Sequence, residues 1–377
     1  MNPFIRRYDD LEKEFLPGRV LIIYGPRRAG KTFLLKQFLK TFTGSILSTT
    51  GDDRIVREVL ESQSVERIRA MFQPFDLVVI DEAQKINQVG QSLKIAIDHL
   101  PEVRFVATGS SSFELAHQIG EPLTGRKIQL TLYPVSTLEL VRQFGPLAAL
   151  QQLDDRLVFG SYPEIMQTGG HQNKIKLLTE LRDSYLYKDI LELDGIRNSR
   201  KINDLLALVA YQVGKEVSLQ ELGTQLGMAK ATVERYLDLL EKAFVVVNVR
   251  GFSRNLRKEI TKTSRYYFLD NGVLNAVINN FNPLSMRGDK GVLWENFMFM
   301  ERLKFRAYTG LHASMYFWRT YDHQEIDLVE EHSGTLFGYE FKSASGRKVK
   351  VPAAWKKAYP EAEFHAISRE NWIEFVS

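Results

Sequence analysis

The residues that most directly suggest chemistry are "GPRRAGKT", residues 25–32. They satisfy the pattern Gly-x-x-x-x-Gly-Lys-[Ser/Thr] in full, after an apolar strand and at the start of a helix. Gly25 and Gly30 let the backbone curl so that its N–H groups face a phosphate, and the helix adds the positive end of its dipole. Lys31 is expected to neutralise the β- and γ-phosphates, and Thr32 to place a hydroxyl on Mg²⁺. Gly25, Pro26, Arg27, Arg28, Ala29, Gly30, Lys31, Thr32 and Phe33 are the expected nucleotide contacts, with ATP and Mg²⁺ as cofactors. In "DLVVIDEAQ", residues 76–84, an apolar strand ends in two adjacent acids. Asp81 suits Mg²⁺, held through water, and Glu82 suits a general base acting on the attacking water. "RFVATGSSS" offers Thr108, Ser110 and Ser111 as sensors of the terminal phosphate. Arg126, in "LTGR", fits an arginine finger completing a neighbouring subunit's site, and equally a solvated loop cation.

A second acidic pattern lies in "EIDLVEEHSGTLFGYEFK", residues 325–342. Asp327 sits on one apolar run. Period-two alternation puts Glu340 and Lys342 on one face of the next, with Tyr339 and Phe341 opposite. "VLWENFMFMERL" places Glu295 on a preceding helix. The carboxylate pair Asp327 and Glu340, converging at the strand ends, suits a second Mg²⁺. Lys342 would orient water, and the ion would polarise a phosphodiester. Asp327, Glu340 and Lys342 are therefore the expected catalytic residues of a metal-dependent nuclease. An acid-x-Lys strand alone is also the ordinary pattern of a half-exposed strand.

A third pattern is basic. "VSLQELGTQLGMAKATVERYLDLLEKAFVV", residues 217–246, has the rhythm of a helix-turn-helix, with Gly227 suited to the helix C-terminus. Two strands follow as a wing. The loop between them is read as holding Arg250, Arg254, Arg257, Lys258, Lys262 and Arg265. Lys230, Thr232, Arg254, Arg257 and Lys258 are the expected DNA contacts, since wing cations commonly meet phosphates. A protein-docking winged helix would share the same pattern.

The elements that must position these residues are legible as periodicity. "RVLIIYG", "SILST", "DLVVID", "RFVATGS" and "KIQLTL" are apolar runs without alternation, the mark of strands buried on both faces. Helix-spaced segments such as "TFLLKQFLKTF" separate them, which predicts a parallel sheet covered by helices. The predicted organisation is a nucleotide-binding core over 1–140, a helical lid over 141–197, a winged helix over 198–284 and a nuclease-like α/β domain over 285–377. The chain has 377 residues, 44% of them apolar, with a formal net charge of +4. That mild basicity permits a nucleic-acid partner without demanding one. With no cysteine there is no disulfide or thiolate metal site. No apolar run approaches a membrane span and the N-terminus lacks a signal-peptide core, so a cytoplasmic protein without membrane contact is expected.

"GPRRAGKT", "VVIDEAQ", "VATGSSS" and "TGR…LYPVSTLE", with "GSYPE" at 160–164 and "YLYKDI" at 185–190, resemble a large prokaryotic family of AAA+ ATPases that carry a second domain called DUF4143. The resemblance covers nearly the whole chain. It implies an AAA+ sheet whose third strand carries Asp81 and Glu82. The C-terminal segment is similar to the PD-(D/E)xK nuclease core at Asp327, Glu340 and Lys342, with Glu295 as the helix acid; Ile326 stands where Pro often precedes the Asp. Together these imply an ATP-hydrolysing protein acting at DNA with a Mg²⁺-dependent endonuclease domain. The alternative is a nucleotide-dependent regulatory switch whose nuclease-like domain docks DNA or a protein partner without cutting. A homo-oligomer, with Arg126 acting in trans, is compatible with either.

Overall fold

The computed structural model describes residues 5–7, 11–109, 122–184, 199–254, 264–343 and 349–377. The chain divides into two compact units. One comprises residues 6–134 with 242–244, and the other residues 1–5, 135–241 and 245–377.

In the first unit, β1 (Val20–Tyr24), β2 (Ile46–Thr50), β3 (Leu77–Asp81), β4 (Arg104–Thr108) and β5 (Lys127–Thr131) form a five-stranded sheet in the order β2-β3-β4-β1-β5. Every pairing in it is parallel. Helices α1 (Lys31–Thr41), α2 (Arg54–Glu61), α3 (Val65–Phe72) and α4 (Val89–His99) belong to the same unit. Residues on both faces of β1, β3 and β4 are buried, which explains their unbroken apolar runs. Val20, Ile22, Val78, Ile80, Phe105 and Ala107 enter one cluster, while Leu21, Ile23, Leu77, Val79 and Val106 enter the other. All five expected strands are present, and Asp81 ends the third.

The second unit begins with α5 (Thr137–Phe144) and α6 (Pro146–Phe159), followed by α7 (Pro163–Gln167) and α8 (His171–Ser184). Ser136 and Glu139 form a reciprocal capping box at α5, so the sequence "SxxE" sets that helix start. Next come α9 (Ser199–Ala210), β6 (Glu216–Val217), α10 (Leu219–Leu226), α11 (Lys230–Lys242), β7 (Val246–Gly251), β8 (Ser264–Phe268) and α12 (Asn271–Val277). Gly227 ends α10 at φ 58°, the left-handed position expected of it. The chain closes with α13 (Lys290–Thr309), β9 (Ser314–Arg319), β10 (Glu325–His332), β11 (Thr335–Phe341), α14 (Ala353–Ala358), β12 (Glu363–Ile367) and α15 (Trp372–Val376).

Two features of this unit depart from the expected segmentation. The described part of the predicted lid belongs to the second unit rather than to the nucleotide core. Its Arg156, almost fully buried, donates to Ser161 Oγ, Thr137 Oγ1 and the Val135 carbonyl, and ion-pairs with Glu301 of α13 at 3.0 Å. "GSYPE" is held the same way: Asp270 accepts from the Ser161 amide at 2.6 Å, and a Cβ on Gly160 would lie 1.9 Å from Asp270 Oδ1. Such buried charges demand partners, and the helices supply them. The second departure is the sheet. Seven strands run continuously in the order β12-β11-β10-β9-β7-β8-β6, with β7 parallel to β9. The boundary expected at residue 284/285 is thus crossed by one hydrogen-bonded sheet.

Candidate functional site

Two groups of candidate residues take shape, one in each unit. In the first, β1 delivers the chain into the 25–32 loop. Gly25 adopts φ 144°, and a Cβ there would lie 2.1 Å from the Leu132 carbonyl oxygen, so only glycine passes. Arg28 and Gly30 also have positive φ, at 60° and 100°, and α1 starts at Lys31 with no side-chain cap on its first amides. Uncapped amides at a helix start are ready donors for a phosphate. Lys31 is buried, and its Nζ donates to the carbonyls of Gly25 at 2.7 Å and Pro26 at 3.0 Å.

Beside the loop, Thr32 Oγ1 donates to Asp81 Oδ2 at 2.9 Å. The Thr108 hydroxyl donates to the other carboxylate oxygen of Asp81 and accepts from the Glu82 amide at 3.3 Å. Glu82 takes a left-handed φ of 52°, uncommon for its type, and its Oε2 accepts from Gln84 Nε2 at 2.5 Å. Thr32 and Asp81 are adjacent hard oxygen donors, so they fit Mg²⁺. Ser110 and Ser111 lie outside the described residues.

Arg7 has a role that reading the sequence missed. Buried under the loop, it donates to the Ala29 carbonyl at 2.9 Å and to the Tyr133 carbonyl, bracing the turn from beneath. It lies 22 residues from Ala29 and 126 from Tyr133 in the chain, so no local motif marks it. Arg126 precedes β5, and its carbonyl accepts from Val20, at the end of β1 away from the loop. One strand length, about 15 Å, separates it from its own loop. Its guanidinium pairs with Asp98 at 2.9 Å, with both side chains partly exposed.

The second group lies in the seven-stranded sheet and α13. The pairing of Leu328 with Tyr339 brings Asp327 alongside Glu340, and Asp327 Oδ2 accepts from the Phe341 amide at 2.7 Å. Lys342 Nζ meets Glu340 Oε1 at 2.5 Å. Glu295 Oε1 accepts from Tyr267 Oη at 2.8 Å and is covered by Gly214, whose absent Cβ would lie 2.5 Å away. Burial, opposed by the Tyr267 hydrogen bond and Arg265, and aided by the charges of Glu325 and Glu340, pushes Glu295 up to about 7. Burial, with the charges of Glu295 and Glu340, pushes Asp327 well above the usual carboxylate range. Burial alone would lower Lys342; Glu340, Asp327 and Glu295 outweigh it and hold its pKa above the usual amine value.

The three acids thus feel one another, as the spacing predicts, but the expected metal centre does not follow. Among the described residues no three His, Asp or Glu side chains are arranged to hold a metal ion. Each candidate acid already accepts a hydrogen bond, from Tyr267, the Phe341 amide or Lys342, and Asp327 is only 8% exposed.

Of the expected DNA contacts, Lys230 opens α11 in an exposed position, with Thr232 two residues on, and Arg254 is exposed with its guanidinium 5.8 Å above the Tyr359 ring. Arg257, Lys258 and Lys262 lie outside the described residues. Arg250 and Arg265 are not loop residues. Arg250 is on β7, and Arg265 is buried on β8, paired with Glu325 at 2.9 Å over the Phe317 ring.

Comparison with known proteins matches residues 17–141 to a family described as an AAA domain and residues 290–373 to a domain of unknown function, DUF4143. The chain joins an AAA domain to a C-terminal DUF4143 domain. Between them, residues 150–284 match a domain of unknown function, DUF8612, which runs from within α6 past α12. The chain is 29% identical over 331 residues to an uncharacterized protein of Mycobacterium tuberculosis, covering 86% of this chain and 70% of that one. It is 25% identical over 311 residues to one of Methanocaldococcus jannaschii, covering 78% and 68%. A protein of Haemophilus influenzae is 23% identical over 340 residues, covering 82% and 79%. Among solved structures, a DNA replication initiation factor matches at 16% identity and TM-score 0.27, covering 60% of this chain and 83% of that one. Domain III of the Thermotoga maritima replication initiation protein DnaA matches at 17% and 0.26, covering 58% and 88%. The AAA domain implies nucleotide binding. Among the described residues no helix is long and apolar enough to cross a membrane.

Proposed function

We propose that the protein binds and hydrolyses ATP at the Gly25–Phe33 loop and that the nucleotide state governs its docking to DNA. The observation that carries this reading is the row Lys31, Thr32–Asp81–Thr108 at the mouth of an uncapped helix. Lys31 holds two carbonyls in place of phosphate and exchanges them for the β- and γ-oxygens. The exchange costs little, because the ammonium trades two neutral acceptors for charged ones. Gly25, Pro26, Arg27, Arg28, Ala29 and Gly30 wrap the phosphates, and Phe33 lies beyond them on α1. Bound Mg²⁺ would neutralise charge on the phosphates, held by Thr32 and by Asp81. Glu82 accepts the proton of the attacking water, and Gln84 orients its carboxylate. Thr108, tied to both Asp81 and the Glu82 amide, conveys the state of one acid to the other. Arg126, a strand length from its own loop, is assigned to a neighbouring copy's site. DNA docking rests on the exposed cations Lys230 and Arg254 with Thr232, and on Arg257 and Lys258.

The burial of Asp327 and the Glu340–Lys342 contact favour a docking role over cleavage for the C-terminal domain. The test is one preparation assayed for ATPase and for nicking, with and without DNA, alongside Lys31→Ala and Asp327→Ala. ATP hydrolysis that survives Lys31→Ala would sink the nucleotide reading. Metal-dependent nicking lost in Asp327→Ala would restore the nuclease in place of the docking module.

A further inference from the structure

The outer surface of α14 carries cations that the fold leaves without acids. One side of this short helix is fixed inward. Trp355 is buried in an apolar cluster with residues of the sheet, and Tyr359, one turn on, packs beside it and meets the Phe252 ring edge-on at 5.6 Å. That register turns Ala353, Lys356, Lys357 and Pro360 outward, and all four are exposed. Lys350 is exposed just before the helix. At the far end Arg254, two residues beyond Phe252, is held with its guanidinium 5.8 Å above the Tyr359 ring. Beside the helix start, the tip of the β9–β10 hairpin is tied down: Gln324 Oε1 accepts from the Ala354 amide at 3.0 Å, and the Gln324 carbonyl accepts from the Thr320 amide at 2.9 Å. Tyr321, on that tip, is 98% exposed. Among the described residues Arg254, Lys350, Lys356 and Lys357 enter no ion pair, whereas Arg265, Arg319 and Lys342 on or beside the strands each pair with an acid.

We infer that this surface binds single-stranded DNA, with Tyr321 stacking on an unpaired base while Lys350, Lys356, Lys357 and Arg254 contact the phosphates. The inference rests on the DNA docking proposed above and extends it from the winged helix onto the C-terminal domain. Charge complementarity argues for a polyanion, because four exposed cations stand without acids of their own, with the exposed acids Asp322 and Glu361 at the two ends of the surface. Such cations neutralise phosphates without reading sequence. The aromatic ring argues for a single strand. A duplex hides the faces of its bases, whereas every unpaired base has a face to lay on an aromatic side chain. At 98% exposure the Tyr321 ring buries apolar area only when something covers it. α14 is about 9 Å long, so its lysines and the adjoining ring lie within the span of a few nucleotides.

The experiment is fluorescence anisotropy of a labelled single-stranded oligodeoxynucleotide, and of its duplex, titrated with the full chain with and without ATP. The single strand should bind more tightly than the duplex. Tyr321→Ala should weaken its binding about tenfold, and Tyr321→Phe, which keeps the ring, should retain wild-type affinity. Lys356→Gln and Lys357→Gln together should flatten the dependence of log K on log salt by about 0.7 for each lysine removed. Thermal melts of these exposed changes should match wild type. A duplex bound as tightly as the single strand, or single-strand binding indifferent to Tyr321→Ala or to the paired lysine change, overturns the inference. If Lys230→Glu then still abolishes DNA binding, the docking reading stands without it. A chain that binds neither form of DNA overturns both.

Discussion

Lys31 and Asp327 are both buried charged residues in predicted sites, but their surroundings treat the charge in opposite ways. Lys31 donates hydrogen bonds to two carbonyls of its own loop, and no side chain caps the start of α1. Its charge is satisfied but replaceable, since a phosphate offers stronger acceptors in the same place. Asp327 and Glu295 lie among other acids, and burial drives both toward the protonated form. Their charge is resisted rather than awaited. The contrast shows that proximity of the right residue types is not yet a site. What matters is which partner the surroundings leave room for.

The largest effect that would sharpen this contrast is on turnover. Lys31→Ala should lower ATP hydrolysis by about 10²–10³-fold, the loss typical of removing one preorganised charge from a transition state. Steady-state phosphate release reads it. A smaller effect is expected from beneath the loop. Arg7→Ala leaves the Ala29 and Tyr133 carbonyls without their donor and should cost about 1–3 kcal/mol of stability, with weaker nucleotide binding. Urea unfolding with and without ATP separates the two losses, and an unchanged midpoint would show that the brace is dispensable.

On the acidic side the sign reverses. A carboxyl raised from 4.5 to about 7 on folding binds more protons folded than unfolded between those values. Stability therefore falls as pH rises from about 4.5 to about 7, and the penalty is fully present above that window. Glu295→Gln keeps an acceptor for Tyr267 and removes the ionisation. It should raise stability by about 1–2 kcal/mol above pH 7, have little effect below pH 4.5, and flatten the pH profile of unfolding. A variant less stable than wild type at pH 8 would mean that the charge is wanted there, as in a true metal site. The smallest effect belongs to Arg126→Ala, which breaks a surface pair with Asp98 and should change stability by less than about 1 kcal/mol. A concentration-dependent loss of ATPase from this variant would place Arg126 in a partner's site.

Much of the nucleotide site was legible because its parts are contiguous. Eight residues state the loop, and the strand ending in Asp81 and Glu82 is a single apolar run. The parallel order of the sheet agreed with the strand–helix alternation for the same reason: short crossovers leave few arrangements. The acids of the second group were legible as a face of one strand and a position on its neighbour. Their burial was not, because it depends on Tyr267 and Gly214, 28 and 81 residues before Glu295. Arg265 read as a wing cation because charge alone suggests solvent, whereas Glu325 and the Phe317 ring draw it inside.

Local pattern by itself determined the strands, the helix starts at Ser136 and Gly30, the glycine ending α10 and the phosphate loop, since each rests on backbone geometry and on neighbours within a few residues. Tertiary structure alone decided that helices 137–184 join the C-terminal unit, that one sheet runs through the expected domain boundary, and that Arg7 braces the loop. It also decided that Asp327 and Glu295 are buried near one another, with their carboxyls driven toward the protonated form. Those outcomes depend on which buried charges and unpaired strand edges find partners, and the partners lie tens to more than a hundred residues away in the chain.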